Sequence, residues 1–287
     1  MSNQNKAYIY ALLAVLMWST VASAFKIALL EISPGLTLFY ASISASFILF
    51  VLLLLKKETQ QINIKSLSKS LLPAFFNPFL YYLILFEAYS LLPAQIAQPL
   101  NYTWPIVLSI FSSIFYNEKI KIGAWLGFVI SFIGVIIISW QNPSLAPLNS
   151  IGIFLAVGSS IIWSIYWILN LKDTRSNSLK LFMNFGIGSI YILIYLLIID
   201  VSFNITMKGL LSCVYIGFFE MGITFFLWLK ALSLSPQITK INNLVFLSPF
   251  LSLIFISYIL KENIQTLSIL GLIVIVLGII IQKLIKN

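Results

Sequence analysis

The chain has 287 residues, of which 60% are hydrophobic and only 9% charged, with a mean hydropathy of +1.03. Soluble domains carry about 25% charged residues, so this composition belongs to a polytopic membrane protein. Histidine is absent and Cys213 is the single cysteine, which excludes histidine acid–base chemistry, cysteine–histidine metal sites and an internal disulfide. No G-x-x-x-x-G-K-[ST] stretch occurs, so the sequence carries no nucleotide-hydrolysing loop of that type, and no cofactor is expected.

Runs of about 20 apolar residues cross a bilayer as helices. Ten are predicted, over about 8–29, 36–55, 70–90, 94–116, 121–140, 151–171, 179–199, 208–229, 237–259 and 265–285. The first begins like a secretory signal, with Lys6, an apolar run from Ala7 to Met17 and Val21-Ala22-Ser23-Ala24. Its Trp18-Ser19 pair recurs at Trp163-Ser164, however, which argues for a retained helix. The third run holds Asn77-Pro78 at its middle and Glu87 near one end. The fourth contains Gln98-Pro99-Leu100-Asn101-Tyr102-Thr103-Trp104-Pro105. Polar groups at membrane depth are costly unless they face a protein interior or a water-filled cavity. Proline there also leaves a backbone carbonyl to be satisfied. Asn101, Tyr102 and Trp104 are therefore read as the wall of a substrate path, with Pro105 as a helix hinge.

In the fifth run, Gly123-x-x-x-Gly127 and Gly134 allow close helix approach. The sixth places Trp163, Tyr166 and Asn170 at i, i+3 and i+7, on one face. That row suits an aromatic cavity for flat or cationic solutes, which stack on rings or sit over their faces. Glu220 stands in the middle of the eighth run. A carboxylate at that depth costs at least about 2.5 kcal/mol unless it is protonated or paired. Binding a substrate ammonium or carrying a proton would justify it; the alternative is a structural pairing with Lys26 or Lys240. The ninth run supplies Lys240, Asn242, Asn243 and a second hinge proline, Pro249. The tenth repeats the glycine pattern at Gly271 and Gly278, so runs five and ten are read as packing or homodimer surface. Glu118-Lys119 and Lys261-Glu262 are read as solvated loop charges.

The formal charge of +9 is a topology signal, not a nucleic-acid one. Lys6, Lys56, Lys57, Lys65, Lys69, Lys119, Lys121, Lys172, Arg175, Lys180, Lys283 and Lys286 fall on one side of the predicted spans. Both termini are thereby placed in the cytoplasm. Repeats follow the same order twice. Ala88-x-Ser90-x-x-Pro93 matches Ala231-x-Ser233-x-x-Pro236 at a shift of 143, and Asn77 matches Glu220 at that shift. Pro105, Glu118, Gly127 and Gly134 match Pro249, Glu262, Gly271 and Gly278 at a shift of 144. The chain thus reads as a duplicated five-helix unit, 1–140 and 141–287. An odd number of spans per unit inverts one half relative to the other, and such repeats bind substrate between them near mid-membrane.

These blocks resemble the drug/metabolite transporter superfamily, with two EamA-type repeats covering essentially the whole chain. Asn101-Tyr102-x-Trp104-Pro105, Trp18-Ser19 and Trp163 with Tyr166 are similar to the bacterial aromatic amino-acid exporters of that superfamily. The resemblance implies an all-α, ten-helix carrier of the bacterial inner membrane with a central cavity, exporting amino acids or related metabolites. Its third helix departs from that subgroup, which carries a glutamate about where Pro78 stands here, and the departure leaves the substrate open.

The leading expectation is a secondary transporter, not an enzyme, whose substrate-binding residues are Trp18, Asn77, Asn101, Tyr102, Trp104, Trp163, Tyr166, Asn170, Glu220 and Asn243. Its expected partners are a small-molecule substrate and the lipid bilayer, with protons as a candidate coupling ion. Multidrug and other metabolite carriers of the same fold are the alternative. Phosphorylated solutes fit poorly, because they call for several Arg or Lys and the sequence holds one arginine, Arg175. A membrane-embedded enzyme or accessory subunit is the reading from another class. It lacks a catalytic constellation and leaves Glu220 and the matched prolines without a purpose.

Overall fold

A computed structural model of the protein describes residues 2–115, 122–139, 149–235, 244–245 and 247–284. Every regular element among the described residues is helical, as expected where lipid leaves the backbone to satisfy its own hydrogen bonds. The helices are α1 (Asn3–Glu31), α2 (Pro34–Leu55), α3 (Ile64–Leu91), α4 (Ala94–Asn101), α5 (Trp104–Phe115) and α6 (Ile122–Ser139). They continue with α7 (Ser150–Lys172), α8 (Asn177–Ile198), α9 (Met207–Leu234), α10 (Leu247–Leu260) and α11 (Thr266–Leu284). Among the described residues, α1, α2, α3, α8, α9 and all but the end of α7 are long and apolar enough to cross a membrane, and shorter apolar helices lie in α6, α10 and α11.

Helix starts follow local chemistry. Asn149, Ser176 and Thr206 accept the backbone N–H groups of Gly152, Leu179 and Gly209, and Pro34 opens α2 where no N–H is needed. The expected fourth run is interrupted. Its helix stops at Asn101, turns at Tyr102-Thr103 and resumes at Trp104. Pro105 is the second residue of the new helix, a place where a missing N–H leaves no gap in the ladder. The break thus precedes the proline. Pro249 is likewise the third residue of α10.

Two further interruptions lie inside long helices. In α3, the stretch Phe75–Leu80 widens, and Asn77 leaves helical geometry altogether (φ −149°, ψ 121°). In α9, Gly217–Gly222 forms a π turn. Each break rests on a small-residue surface of a neighbour. Pro78 packs where Gly188 of α8 has no Cβ, and the α9 turn packs against Ala41 and Ala45 of α2.

The two parts interlock. α1 packs on the end of α9, α3 on α7, and α2 on α8. α6 packs on α11 so closely that a Cβ at Gly134 would stand 2.7 Å from the Gly271 carbonyl, and one at Gly278 2.6 Å from the Gly127 carbonyl. Ser131 Oγ donates to the Ile275 carbonyl across this seam (3.0 Å). The repeated glycines therefore seat α6 against α11 within one chain.

Candidate functional site

The α9 turn places Glu220 in the interior, 8% exposed, with its Oε1 accepting from the Tyr82 hydroxyl at 2.8 Å. Tyr82 comes from α3, five residues beyond Asn77, so the two interrupted helices meet at this carboxylate. The Trp18 side chain of α1 also lies beside it. Glu220 Oε2 has no hydrogen-bond partner among the described residues.

A cavity of about 60 Å³ opens in front of this group. That is room for about two waters, against the ~300 Å³ or more of a typical ligand pocket. Its walls are largely aromatic. Trp18 lies against Trp228 (centroids 5.1 Å apart), Tyr81 stacks on Trp163 (4.6 Å), and Trp163 meets Trp104 edge-on (6.4 Å). Gln98, Asn101, Tyr102 and Trp167 complete the polar part of the wall. Gln98 Oε1 and Trp167 Nε1 are buried without partners among the described residues, as Glu220 Oε2 is. Two acceptors and one donor are thus left for a ligand. Among the described residues that line the cavity there is no lysine or arginine, and Glu220 is the one acidic residue.

Serines of α7 brace the broken fourth span. Asn101 donates to Ser159 Oγ (2.8 Å) and accepts from Tyr81 Oη (3.3 Å). Thr103 Oγ1 donates to Ser160 Oγ (3.2 Å), and Ser164 Oγ to the Trp104 carbonyl (3.1 Å). The interruption is therefore a fixed feature with its polar groups satisfied, and it holds Tyr102 and Trp104 in the wall.

Six residues singled out in the sequence gather here: Trp18, Asn101, Tyr102, Trp104, Trp163 and Glu220. Asn77, Tyr166 and Asn170 do not line this cavity; they meet one another in a separate buried cluster that includes Asn184. Asn243 and its neighbours Lys240 and Asn242 lie outside the described residues. Sequence reasoning missed Tyr81, Tyr82, Trp167 and Trp228. Lys26 is not the partner of Glu220: its ammonium donates to the carbonyls of Tyr89 (2.7 Å) and Leu92 (2.9 Å), capping the end of α3. Glu262 is no free loop charge either. It accepts from the N–H groups of Ala94 (3.1 Å) and Gln95 (3.4 Å) at the start of α4, where a helix favours an anion.

The opposite end of the molecule is closed by charge. Arg175 grips Asp173 through two nitrogens (3.0 and 2.6 Å), and both side chains are nearly buried. It also donates to the Ser66 carbonyl and to Ser70 Oγ (2.8 Å) of α3. Glu58 accepts from Ser176 (2.7 Å) and Ser178 (2.6 Å). Burial alone would push the Asp173 carboxyl up, but hydrogen bonds and charge from Arg175 outweigh it and hold Asp173 below its ordinary value. Glu58 is held low in the same way, by Ser178, Ser176 and the Lys56 charge against its own partial burial.

Comparison with known proteins adds the family context. The family model described as the EamA-like transporter family matches residues 5–140 and again 150–282. An uncharacterised transporter of Archaeoglobus fulgidus is 25% identical over 280 residues, covering 96% of this chain and 98% of that protein. The uncharacterised transporter YoaV of Bacillus subtilis is 24% identical over 277 residues, with 92% of each chain covered. The match to an uncharacterised transporter of Clostridium kluyveri, 26% identical, spans only 60% of this chain and 58% of that protein. A solved crystal structure superimposes with a TM-score of 0.66 at 18% identity over 96% of both chains; that likeness concerns the fold.

Proposed function

From the premise that the chain belongs to the EamA-like transporter family, and is therefore a multi-pass membrane transporter, we propose that it is a secondary carrier exporting a small amine-bearing organic solute. The reading places ten spans in two inverted halves, 1–140 and 141–287, with both termini cytoplasmic, in a bacterial inner membrane. The halves rock about the Glu220 chamber and expose it to each side in turn. One observation carries the substrate class. The chamber presents a carboxylate with one oxygen unpartnered by any described residue, ringed by tryptophan and tyrosine, and no cationic side chain stands among its described lining residues. A protonated amine satisfies the carboxylate, and its apolar or aromatic remainder packs on the rings. Aromatic amines and amino-acid-derived amines fit this arrangement better than phosphorylated solutes, whose charge meets no cation among the described lining residues. A proton competing with the amine for Glu220 would couple export to a pH gradient.

Proteoliposome uptake of labelled aromatic amines, amino acids and a phosphorylated control, with and without an imposed pH gradient, tests this. Saturable amine uptake, stimulated by the gradient and lost in Glu220→Gln, is the expected result. A folded protein that carries the phosphorylated control, or carries amines equally well as Glu220→Gln, would sink the assignment.

A further inference from the structure

Next to the Glu220 chamber, four polar side chains approach one another without closing a hydrogen bond of normal geometry. The Tyr166 hydroxyl lies beside the side-chain amides of Asn77, Asn170 and Asn184. They converge from the broken turn of α3, from α7 and from α8. Asn77 and Tyr166 are fully buried, and Asn184 and Asn170 are 1% and 4% exposed. Yet the Tyr166 hydroxyl, both polar atoms of Asn77 and the amide oxygens of Asn170 and Asn184 have no hydrogen-bond partner among the described residues. Each such atom costs about 1–3 kcal/mol if left alone, and native interiors leave only a few per hundred residues, whereas five gather at this one point.

The surroundings define what fits. On one side Tyr166 packs on Trp163 (centroids 5.7 Å apart) and on Trp167 (6.5 Å), both of which line the chamber. On the other side Lys180 Nζ donates to the carbonyls of Asn170 (3.4 Å) and Asp173 (3.5 Å), and Asp173 is gripped by Arg175. An ammonium so close disfavours a bare cation. Three amides and a phenol offer donors and acceptors together, which suits a small neutral dipole. One water molecule, with two to four polar partners, satisfies such a group.

We propose that Asn77, Tyr166, Asn170 and Asn184 form a second ligand site, distinct from the Glu220 chamber, that holds water. Its occupancy belongs to the fold. Its use, as a hydrated step between the chamber and the 173–178 loop when the carrier opens on that side, rests on the carrier reading. It also gives Asn77, Tyr166 and Asn170 a shared task outside the cavity.

Hydroxyl-radical footprinting of the full-length protein in nanodiscs tests the site, because radicals formed from bound water label side chains that bulk solvent does not reach. Tyr166 and Phe86 are equally buried, whereas Tyr258 is exposed. With rates normalised for intrinsic reactivity, Tyr166 is expected to be labelled several-fold faster than Phe86. Asn184→Leu should bring Tyr166 down to the Phe86 rate with Tyr258 unchanged, and Asn184→Ser, which keeps a polar group, should preserve labelling. Tyr166 as inert as Phe86 in the parent protein, or labelled equally in Asn184→Leu, would overturn the proposal. Either result leaves amine uptake untouched, and failed amine uptake leaves the footprint untouched, so the two readings fail separately.

Discussion

Set side by side, α3 and α9 break at matched positions by different means. In α3 the break is built on Pro78, which has no N–H to give and whose ring clashes with the preceding turn. Gly188 of α8 receives that ring. α9 has no proline within it. Its break is a π turn bounded by Gly217 and Gly222 and pressed against α2, with Thr224 turned back onto the Phe219 carbonyl. The proline break carries a neutral amide; the glycine break carries the carboxylate. The duplicated unit thus kept an interruption of the helix in both halves and let its chemistry diverge. The charge sits on the interruption without a proline, and that turn is packed closely on α2.

The largest expected effect tests that asymmetry. Glu220→Gln keeps the shape and removes the charge, so amine uptake should fall about a hundredfold, as when one partner of a buried charge pair is lost. Tryptophan fluorescence and elution should stay those of a folded protein. Moving the carboxylate to the other half, as Asn77→Asp with Glu220→Asn, should not restore uptake, because Asn77 faces α7 and α8 instead of the chamber. Restored flux in that double variant would show the two breaks to be interchangeable and the comparison to be mistaken.

The first arms of the same two helices offer a second contrast. The α3 arm is held by Arg175, a nearly buried guanidinium shared by Asp173, Ser66 and Ser70. Lysine at 175 keeps the charge but loses the planar fork. Arg175→Lys should therefore destabilise the protein by about 2 kcal/mol, the scale of a charged hydrogen bond, read as a lower unfolding temperature. Faster amide exchange over 64–74 should accompany it. Unchanged exchange there would mean that packing, not Arg175, holds the arm. A smaller effect follows from acidity. Because Asp173 is held below its ordinary value in the folded protein, its contribution is complete above the ordinary carboxylate range. It is lost as pH falls through the lowered value. Acid should loosen 64–74 in the parent and make little further difference in Asp173→Asn; identical acid responses in both would remove Asp173 from the account.

How far the sequence carried this picture varies by residue. Six of the ten expected spans recur among the described residues as helices long and apolar enough to cross a membrane, because lipid demands long apolar runs. The repeated glycines of α6 and α11 were read as packing or homodimer positions and lie in the α6–α11 packing seam. Glu220, Trp18 and the Asn101–Trp104 stretch stood out as polar or aromatic groups at membrane depth. Tyr81 and Tyr82 did not, because the break at Asn77 resets the helical phase and no face can be extended across it. Trp167 and Trp228 were lost among many aromatic residues in apolar runs, where a ring facing lipid and a ring facing a cavity look alike. Asn184 is a lone amide in such a run, and only the fold brings it to Tyr166. Glu262 was read as solvated because its partners, the first N–H groups of α4, lie some 170 positions earlier in the chain.

The α9 arm supplies the smallest expected effect and the sharpest control. Lys208 meets Glu31 at 2.9 Å, but the lysine side chain is 63% exposed, and exposed pairs of this kind contribute little to stability. Thr206 also donates to Glu31 (2.9 Å), and Thr20 and Tyr215 share a hydrogen bond of 2.6 Å that does not involve Lys208. Lys208→Ala should therefore shift the unfolding temperature far less than Arg175→Lys, and added salt should erase what shift there is. If the two substitutions proved equally damaging, the arms would be anchored alike. The difference between the halves would then lie only in the residue that each break presents.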